Sequence, residues 1–198
     1  MTITVITDGT SRDPLGQELR SALAGWLEQS RHDYRIRELR PDRLHPCAGC
    51  FHCWIKTPGC CVINDDAGPI LRDFIRSRAL LLLSPVKYGS YSPLIHRLLH
   101  RSIPMVLPYF KKINGEVHHQ PRYLQYPRLV AIGYGATITG AEAETFKSLT
   151  DANAVNFQTR EAETYICRDR AAIEPILGSL QRHLGRLDPS GAAGGGDR

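Results

Sequence analysis

Short apolar stretches and polar turns succeed one another along the chain in a way that predicts regular strands. Residues 2–7 alternate threonine with branched apolar side chains, and residues 34–39 and 129–132 carry similar short patterns, which is typical of strands. Residues 79–83 are a continuous apolar run bounded by polar residues, as expected of a central parallel strand. A last short strand is predicted at 164–167. The chain therefore supplies five strands.

Helical spacing of apolar residues separates these strands. The clearest case lies between the first two strands, and four more helices are predicted at 69–77, 93–101, 141–151 and 171–186. Asp66 is expected to cap the helix at 69–77, and Asp65 and Asp66 together are interpreted as capping residues rather than as an acid–base pair. Strands that alternate with helices form a parallel sheet covered on both faces, so we predict a doubly wound α/β fold with strand order 2-1-3-4-5.

Two segments do not fit the alternation of strands and helices. Residues 102–127 are interpreted as an insertion, with a hairpin turn at Asn114-Gly115. Residues 188–198 are rich in glycine and small residues, which predicts a disordered tail after a single domain at 1–187. A cysteine-rich loop follows the second strand.

Composition narrows the classes of partner. The chain has 198 residues with 42% hydrophobic and 23% charged residues, as in an ordinary globular domain. No apolar run is long enough to cross a bilayer, and no secretion signal is recognisable, which predicts a cytoplasmic protein without a membrane partner. The net charge is +5, but the basic residues are scattered, so we expect no nucleic-acid partner.

Three loops rich in glycine, hydroxyl and tyrosine residues follow strands one, three and four, at 8–17, 84–92 and 133–140. In the predicted strand order these loops converge at one edge of the sheet. The first loop leads into a helix, whose free N–H groups favour a phosphate, and Thr10, Ser11 and Arg12 add hydroxyl groups and a charge. The alternative is a plain N-capped turn. Together the loops predict a flavin mononucleotide (FMN) pocket, with the isoalloxazine ring between the second and third loops.

Five of the six cysteines lie between residues 47 and 61. Cys47, Cys50, Cys53 and Cys61 supply four thiolates, a set that suits a [4Fe–4S] cluster, and Cys60 is an alternative fourth ligand. Zinc, a disulfide, or simple packing of small thiols without a metal remain open alternatives. Cys167 lies on a predicted strand and is expected in the core.

Several motifs carry a family resemblance over roughly residues 2 to 180. They are Cys47-x-Gly-Cys50-x-x-Cys53-Trp with Cys61 and Asp65-Asp66, Ser84-Pro-Val86 with Gly89-x-Tyr91-Ser92, and His119-x-x-Arg122-Tyr123. The sequence resembles the flavodoxin-like NAD(P)H-dependent FMN oxidoreductases, and among them the iron–sulfur flavoproteins.

The resemblance implies an enzyme that transfers a hydride from NAD(P)H to FMN and passes electrons to a quinone, a flavin or another small acceptor. The flavin carries the chemistry, so no catalytic side chain is expected. The implied FMN-binding residues are Thr10, Ser11, Arg12, Gly16, Gln17, Ser84, Pro85, Val86, Lys87, Tyr88, Gly89, Gly133, Tyr134 and Gly135. Family members are usually homodimers or homotetramers. The alternative function is an iron–sulfur electron carrier with a ferredoxin-like partner, and a non-catalytic flavin or zinc sensor is a third.

Overall fold

The computed structural model describes residues 2–30, 32–159 and 162–185, and the predicted tail at 188–198 lies outside them. Seven strands and six α-helices, with two short 3₁₀ turns, occur in the described part. In chain order they are β1 Thr2–Asp8, α1 Pro14–Gln29, β2 Asp33–Leu39, α2 His52–Ile55, α3 Ala67–Arg76, β3 Ala79–Pro85, α4 Pro93–His100, a 3₁₀ turn Ile103–Met105, β4 Val106–Ile113, β5 Glu116–Pro121, β6 Arg128–Tyr134, α5 Gly140–Asn156, β7 Ala162–Cys167, a 3₁₀ turn Arg170–Ala172 and α6 Ile173–Gly185.

Five strands form one parallel sheet in the order β2-β1-β3-β6-β7. This is the predicted order 2-1-3-4-5, because β4 and β5 pair only with each other. The register places Ile3 of β1 beside Ala79 of β3, and Ala79 beside Arg128 of β6. All five strands therefore end at the same edge of the sheet.

The sheet is buried on both faces, which explains the unbroken leucine run of β3. Successive side chains of a strand point to opposite faces. Leu80 and Leu82 accordingly join a core with α3, α4 and α5, while Leu81 and Leu83 join a second core with α1 and α6. Burial of a leucine side chain contributes about 1.5–3 kcal/mol, so β3 anchors both layers.

The predicted insertion is a separate antiparallel hairpin made of β4 and β5. Asn114 and Gly115 have φ angles of 51° and 89°, as a tight two-residue hairpin turn requires. The hairpin is attached to the cysteine-rich loop through Trp54, whose indole N–H donates to the carbonyl groups of Ile103 and Val106. The insertion and its turn are confirmed.

Other predictions from the sequence are adjusted in detail. The one-turn helix α2 inside the cysteine-rich loop was not expected, and the final predicted helix is divided into a 3₁₀ turn followed by α6. Cys167 is fully buried on β7, as predicted. Among the described helices, none is both long and apolar enough to cross a membrane.

Candidate functional site

The three predicted loops meet at the carboxyl edge of β1, β3 and β6. The Val86 N–H donates to the Tyr134 carbonyl at 3.0 Å, which joins the second loop to the third. The buried side chain of Tyr134 lines a small cleft together with Ser11 and Gly16 of the first loop, and burial raises the pKa of its phenol. A Cβ atom on Gly16 would lie 2.3 Å from the Tyr134 ring, so only glycine permits this approach. The convergence expected from the sequence is therefore present.

The first loop is held by two carboxylates. Asp8 ends β1 and accepts hydrogen bonds from the backbone N–H of Thr10 at 2.8 Å and from its hydroxyl at 2.6 Å. The Asp13 carboxylate accepts from the N–H groups of Leu15 at 2.9 Å and Gly16 at 3.4 Å, at the start of α1. The alternative interpretation of this loop, an N-capped turn, describes its geometry.

The second loop ends in a tight turn that rests on α5. Lys87 and Ser90 exchange backbone hydrogen bonds, and Tyr88 and Gly89 between them have φ angles of 52° and 72°. These angles are typical of a type I′ turn. A Cβ on Gly89 would lie 2.6 Å from the Thr145 side chain, which explains the glycine. Tyr88 is 93% exposed, so an aromatic ring projects from the turn.

Two serines fix the base of the second loop. The Ser84 hydroxyl, fully buried at the end of β3, accepts from the Ser92 N–H at 2.8 Å. The Ser92 hydroxyl in turn accepts from the Ile95 N–H and caps α4. The loop is thus closed on itself, and the position of Tyr88 is set by backbone contacts.

The cysteine-rich loop follows β2 and presents thiols of different exposure. Cys47, Cys50 and Cys60 are exposed, Cys61 is half-buried and Cys53 is buried in α2. Burial, together with the neighbouring Cys61, Cys47 and Cys50, raises the pKa of the Cys53 thiol. The other three predicted ligands therefore lie close enough to Cys53 to affect its pKa.

A buried ion pair anchors this loop. The Arg101 side chain is fully buried and binds both carboxylate oxygens of Asp65, at 2.7 and 2.9 Å. The same guanidinium group donates to the His45 carbonyl at 2.7 Å and to the Cys61 sulfur at 3.4 Å. One side chain at the end of α4 thus holds both ends of the cysteine-rich loop.

Asp65 also performs the capping role predicted for Asp66. Asp65 accepts from the Ala67 N–H at 3.1 Å, whereas the Asp66 side chain makes no capping bond and pairs with Arg43. Burial alone would raise the pKa of Asp65, but hydrogen bonds from Arg101 and from the His45 and Ala67 N–H groups hold it below its usual value. The predicted capping is therefore confirmed for Asp65 and wrong for Asp66.

Comparisons with known proteins show what this chain is similar to. No family model matches the chain. An iron–sulfur flavoprotein of Methanocaldococcus jannaschii is 35% identical over 81 residues, which cover 40% of this chain and 41% of that protein. The match therefore spans less than half of the curated relative's length.

Solved structures match nearly the whole chain. An NAD(P)H:quinone oxidoreductase from Methanothermobacter marburgensis has a TM-score of 0.64 at 14% identity, over 94% of this chain and 96% of that one. An FMN-dependent NADH-azoreductase from Bacillus anthracis, solved in complex with FMN, has a TM-score of 0.61 at 10% identity, over 94% and 98%. The chain has the flavodoxin-like fold. At these identities the likeness concerns the fold alone.

The loops of this flavodoxin-like chain fit a flavin unequally. At the ring end, the Tyr88 side chain is exposed and Gly135, in the loop after β6, is half-buried. At the phosphate end, Thr10 and Arg12 are exposed, but the first N–H groups of α1 are taken by Asp13. The residue types at the ring end suit contact with a flavin ring. The first N–H groups of α1, where a phosphate would bind, already donate to the Asp13 carboxylate.

The cysteines do not form a ready metal site. Over residues 2–30, 32–159 and 162–185, no three histidine, cysteine, aspartate or glutamate side chains are arranged to hold a metal ion. The Cys61 sulfur accepts a hydrogen bond from the Arg101 guanidinium group at 3.4 Å. As described, the cysteines are not preassembled as the ligands of a cluster.

The sequence analysis did not identify Arg101, the buried residue that holds the cysteine-rich loop. Arg101 was placed at the end of a helix, and its buried ion pair joins residues 36 positions apart. No local pattern reveals such a contact. Asp13 followed by Pro14, by contrast, is a recognisable helix-start signal that could have been used.

Proposed function

We propose that this chain is an NAD(P)H-dependent FMN oxidoreductase that reduces a quinone, a flavin or another small acceptor. The observation that carries the proposal is the meeting of three loops at the carboxyl edge of β1, β3 and β6, where doubly wound folds bind ligands. The likeness to a quinone oxidoreductase and to an FMN-bound azoreductase supports it.

The residues that would hold the cofactor lie on the three loops. Thr10, Ser11, Arg12, Gly16 and Gln17 would lie at the phosphate end, and the turn around Tyr88 would lie along the ring opposite Gly135. FMN, when bound, would accept a hydride from NAD(P)H and deliver electrons onward. The chain's own residues bind and orient: the Ser84–Ser92 contact fixes the turn, and the exposed Tyr88 ring offers a stacking face to a flat molecule.

A homodimer or homotetramer in the cytoplasm completes the proposal. The hairpin and the cysteine-rich loop carry most of the exposed large apolar side chains of the described chain, which supports contact with a second copy. All six cysteines are free, as suits a reducing compartment.

The test is steady-state oxidation of NADH and of NADPH by the full chain loaded with FMN, with a soluble quinone as acceptor. We expect flavin-dependent turnover. Tyr88→Ala should raise KM for the quinone several-fold, whereas Tyr109→Ala, an equally simple loss of an exposed ring on β4, should not. FMN-loaded protein that neither nucleotide reduces would remove the proposal.

A second candidate is an iron–sulfur electron carrier that exchanges electrons with a ferredoxin-like protein. It is favoured by the relative from M. jannaschii and by the presence of Cys47, Cys50, Cys53 and Cys61 in one short loop. Anaerobic purification with iron and sulfide analysis tests it. A cluster held by these four thiols should survive Cys60→Ser and be lost in Cys61→Ser, and protein without iron would exclude this function.

A further inference from the structure

The start of α1 is already satisfied by the chain itself. The first N–H groups of a helix lack partners within the helix and attract anions. Here the Asp13 carboxylate accepts from the N–H groups of Leu15 and Gly16, and the Gln17 N–H donates to the Asp13 carbonyl at 3.1 Å. Pro14, at the first helical position, has no N–H to offer. The groups that would bind a phosphate therefore already have acceptors.

Two further N–H groups of the loop also have acceptors. The Thr10 N–H is held by the Asp8 carboxylate, and the Gly9 N–H donates to the Leu39 carbonyl at 3.0 Å. Beneath the loop, the Tyr134 ring covers Gly16, and the cleft that remains between them encloses about 30 Å³. That volume suits a water molecule rather than a phosphate group.

Electrostatic repulsion disfavours a phosphate in this loop, as does the small volume of the cleft. A phosphate monoester carries about −1.5 to −2 charges at neutral pH. Two carboxylates, Asp8 and Asp13, lie in the loop that would receive it and outnumber the loop's one cation, the exposed Arg12, while Arg20 at its border is paired with Glu38. A dianion entering here must displace the Asp13 carboxylate from the helix and remain close to it. A flavin without the phosphate meets no such repulsion.

We propose that the flavin site does not select for the 5′-phosphate, so that riboflavin binds at least as tightly as FMN, because Asp13 occupies the helix start. This inference rests on the proposed function, since it assumes that the loops bind a flavin ring. Asp13 acts as a specificity residue that keeps the phosphate from becoming an anchor.

The experiment measures equilibrium binding of riboflavin and of FMN by quenching of flavin fluorescence, with the full chain. Asp13→Asn is the informative variant, because asparagine caps helices about as well as aspartate but carries no charge. Asp151→Asn is the matched control, since it removes the same charge from the exposed face of α5, where Asp151 pairs with Lys147. Thermal melts establish that all three proteins are folded.

In the wild type we expect a dissociation constant for riboflavin no larger than that for FMN. Asp13→Asn should tighten FMN binding on the order of tenfold, equivalent to about 1.4 kcal/mol, and change riboflavin binding less than twofold. Asp151→Asn should change neither. Wild-type protein that binds FMN more tightly than riboflavin, or an Asp13→Asn variant with unchanged FMN affinity, overturns the inference and leaves the oxidoreductase proposal standing. Protein that binds neither flavin in any variant overturns both.

Discussion

Replacing Arg101 with methionine is expected to destabilise the protein by about 3–5 kcal/mol, because the change leaves the carboxylate of Asp65 buried without its partner. The side chains of Arg101 and Asp65 are 0% and 3% exposed, so water cannot replace the lost contacts. The substitution also removes donors to the His45 carbonyl and the Cys61 sulfur. For a chain of this size, each kcal/mol lowers Tm by about 2–4 °C, so a decrease of about 6–20 °C should follow.

Urea unfolding followed by circular dichroism measures this loss, and Arg97→Met is the control. Arg97 lies one turn earlier on α4, is half-buried, and donates to the Leu44 carbonyl at 2.9 Å. Its loss should cost about 0.5–1.5 kcal/mol, as for an ordinary hydrogen bond. The double variant Arg101→Met/Asp65→Asn should lose less than the sum of its single variants, since neither charge is left uncompensated. Equal losses for Arg101→Met and Arg97→Met would refute the reasoning.

Three further outcomes are expected. The pKa of Asp65 is depressed in the folded protein. The contribution of its carboxylate to stability is therefore fully present above the ordinary aspartate pKa of about 4 and is lost as the pH falls through the lower folded-state pKa. Urea midpoints measured from pH 7 to 3 should accordingly fall less for Asp65→Asn than for the wild type. Cys53 should react with iodoacetamide at neutral pH far more slowly than the three exposed thiols of the loop, because burial and neighbouring thiols raise its pKa, and mass spectrometry of timed samples would show any contrary order. Gly89→Ala should destabilise the protein by at least about 1 kcal/mol more than Gly115→Ala. Both positions have positive φ, but only a Cβ at position 89 would lie against Thr145. Equal thermal shifts for the two variants would contradict this.

The sequence predicted the architecture well because hydrophobic periodicity decides it. The all-apolar run of β3 requires burial on both faces, and the order of strands and helices then leaves few topologies. The candidate site was predicted only as a set of loops. Asp13 and Pro14 were visible as a helix start, yet the effect of the carboxylate on a phosphate requires the hydrogen-bond partners. The contact of Arg101 with Asp65 depends on three-dimensional packing and has no local signal.

The hairpin of β4 and β5 lies between two strands that are neighbours in the sheet, since β3 pairs directly with β6. In the loop-closure model, doubling the length of such a connection costs only about 0.6 kcal/mol. A change in the length of this connection therefore costs little stability. The contacts that attach the hairpin to the rest of the chain are more demanding, because Trp54 donates to two carbonyl groups at the base of the hairpin and Arg122 donates to the Pro104 carbonyl at 2.8 Å. Natural lengthening or grafting should therefore be tolerated at the tip near Asn114, while shortening at the base would leave the indole without acceptors.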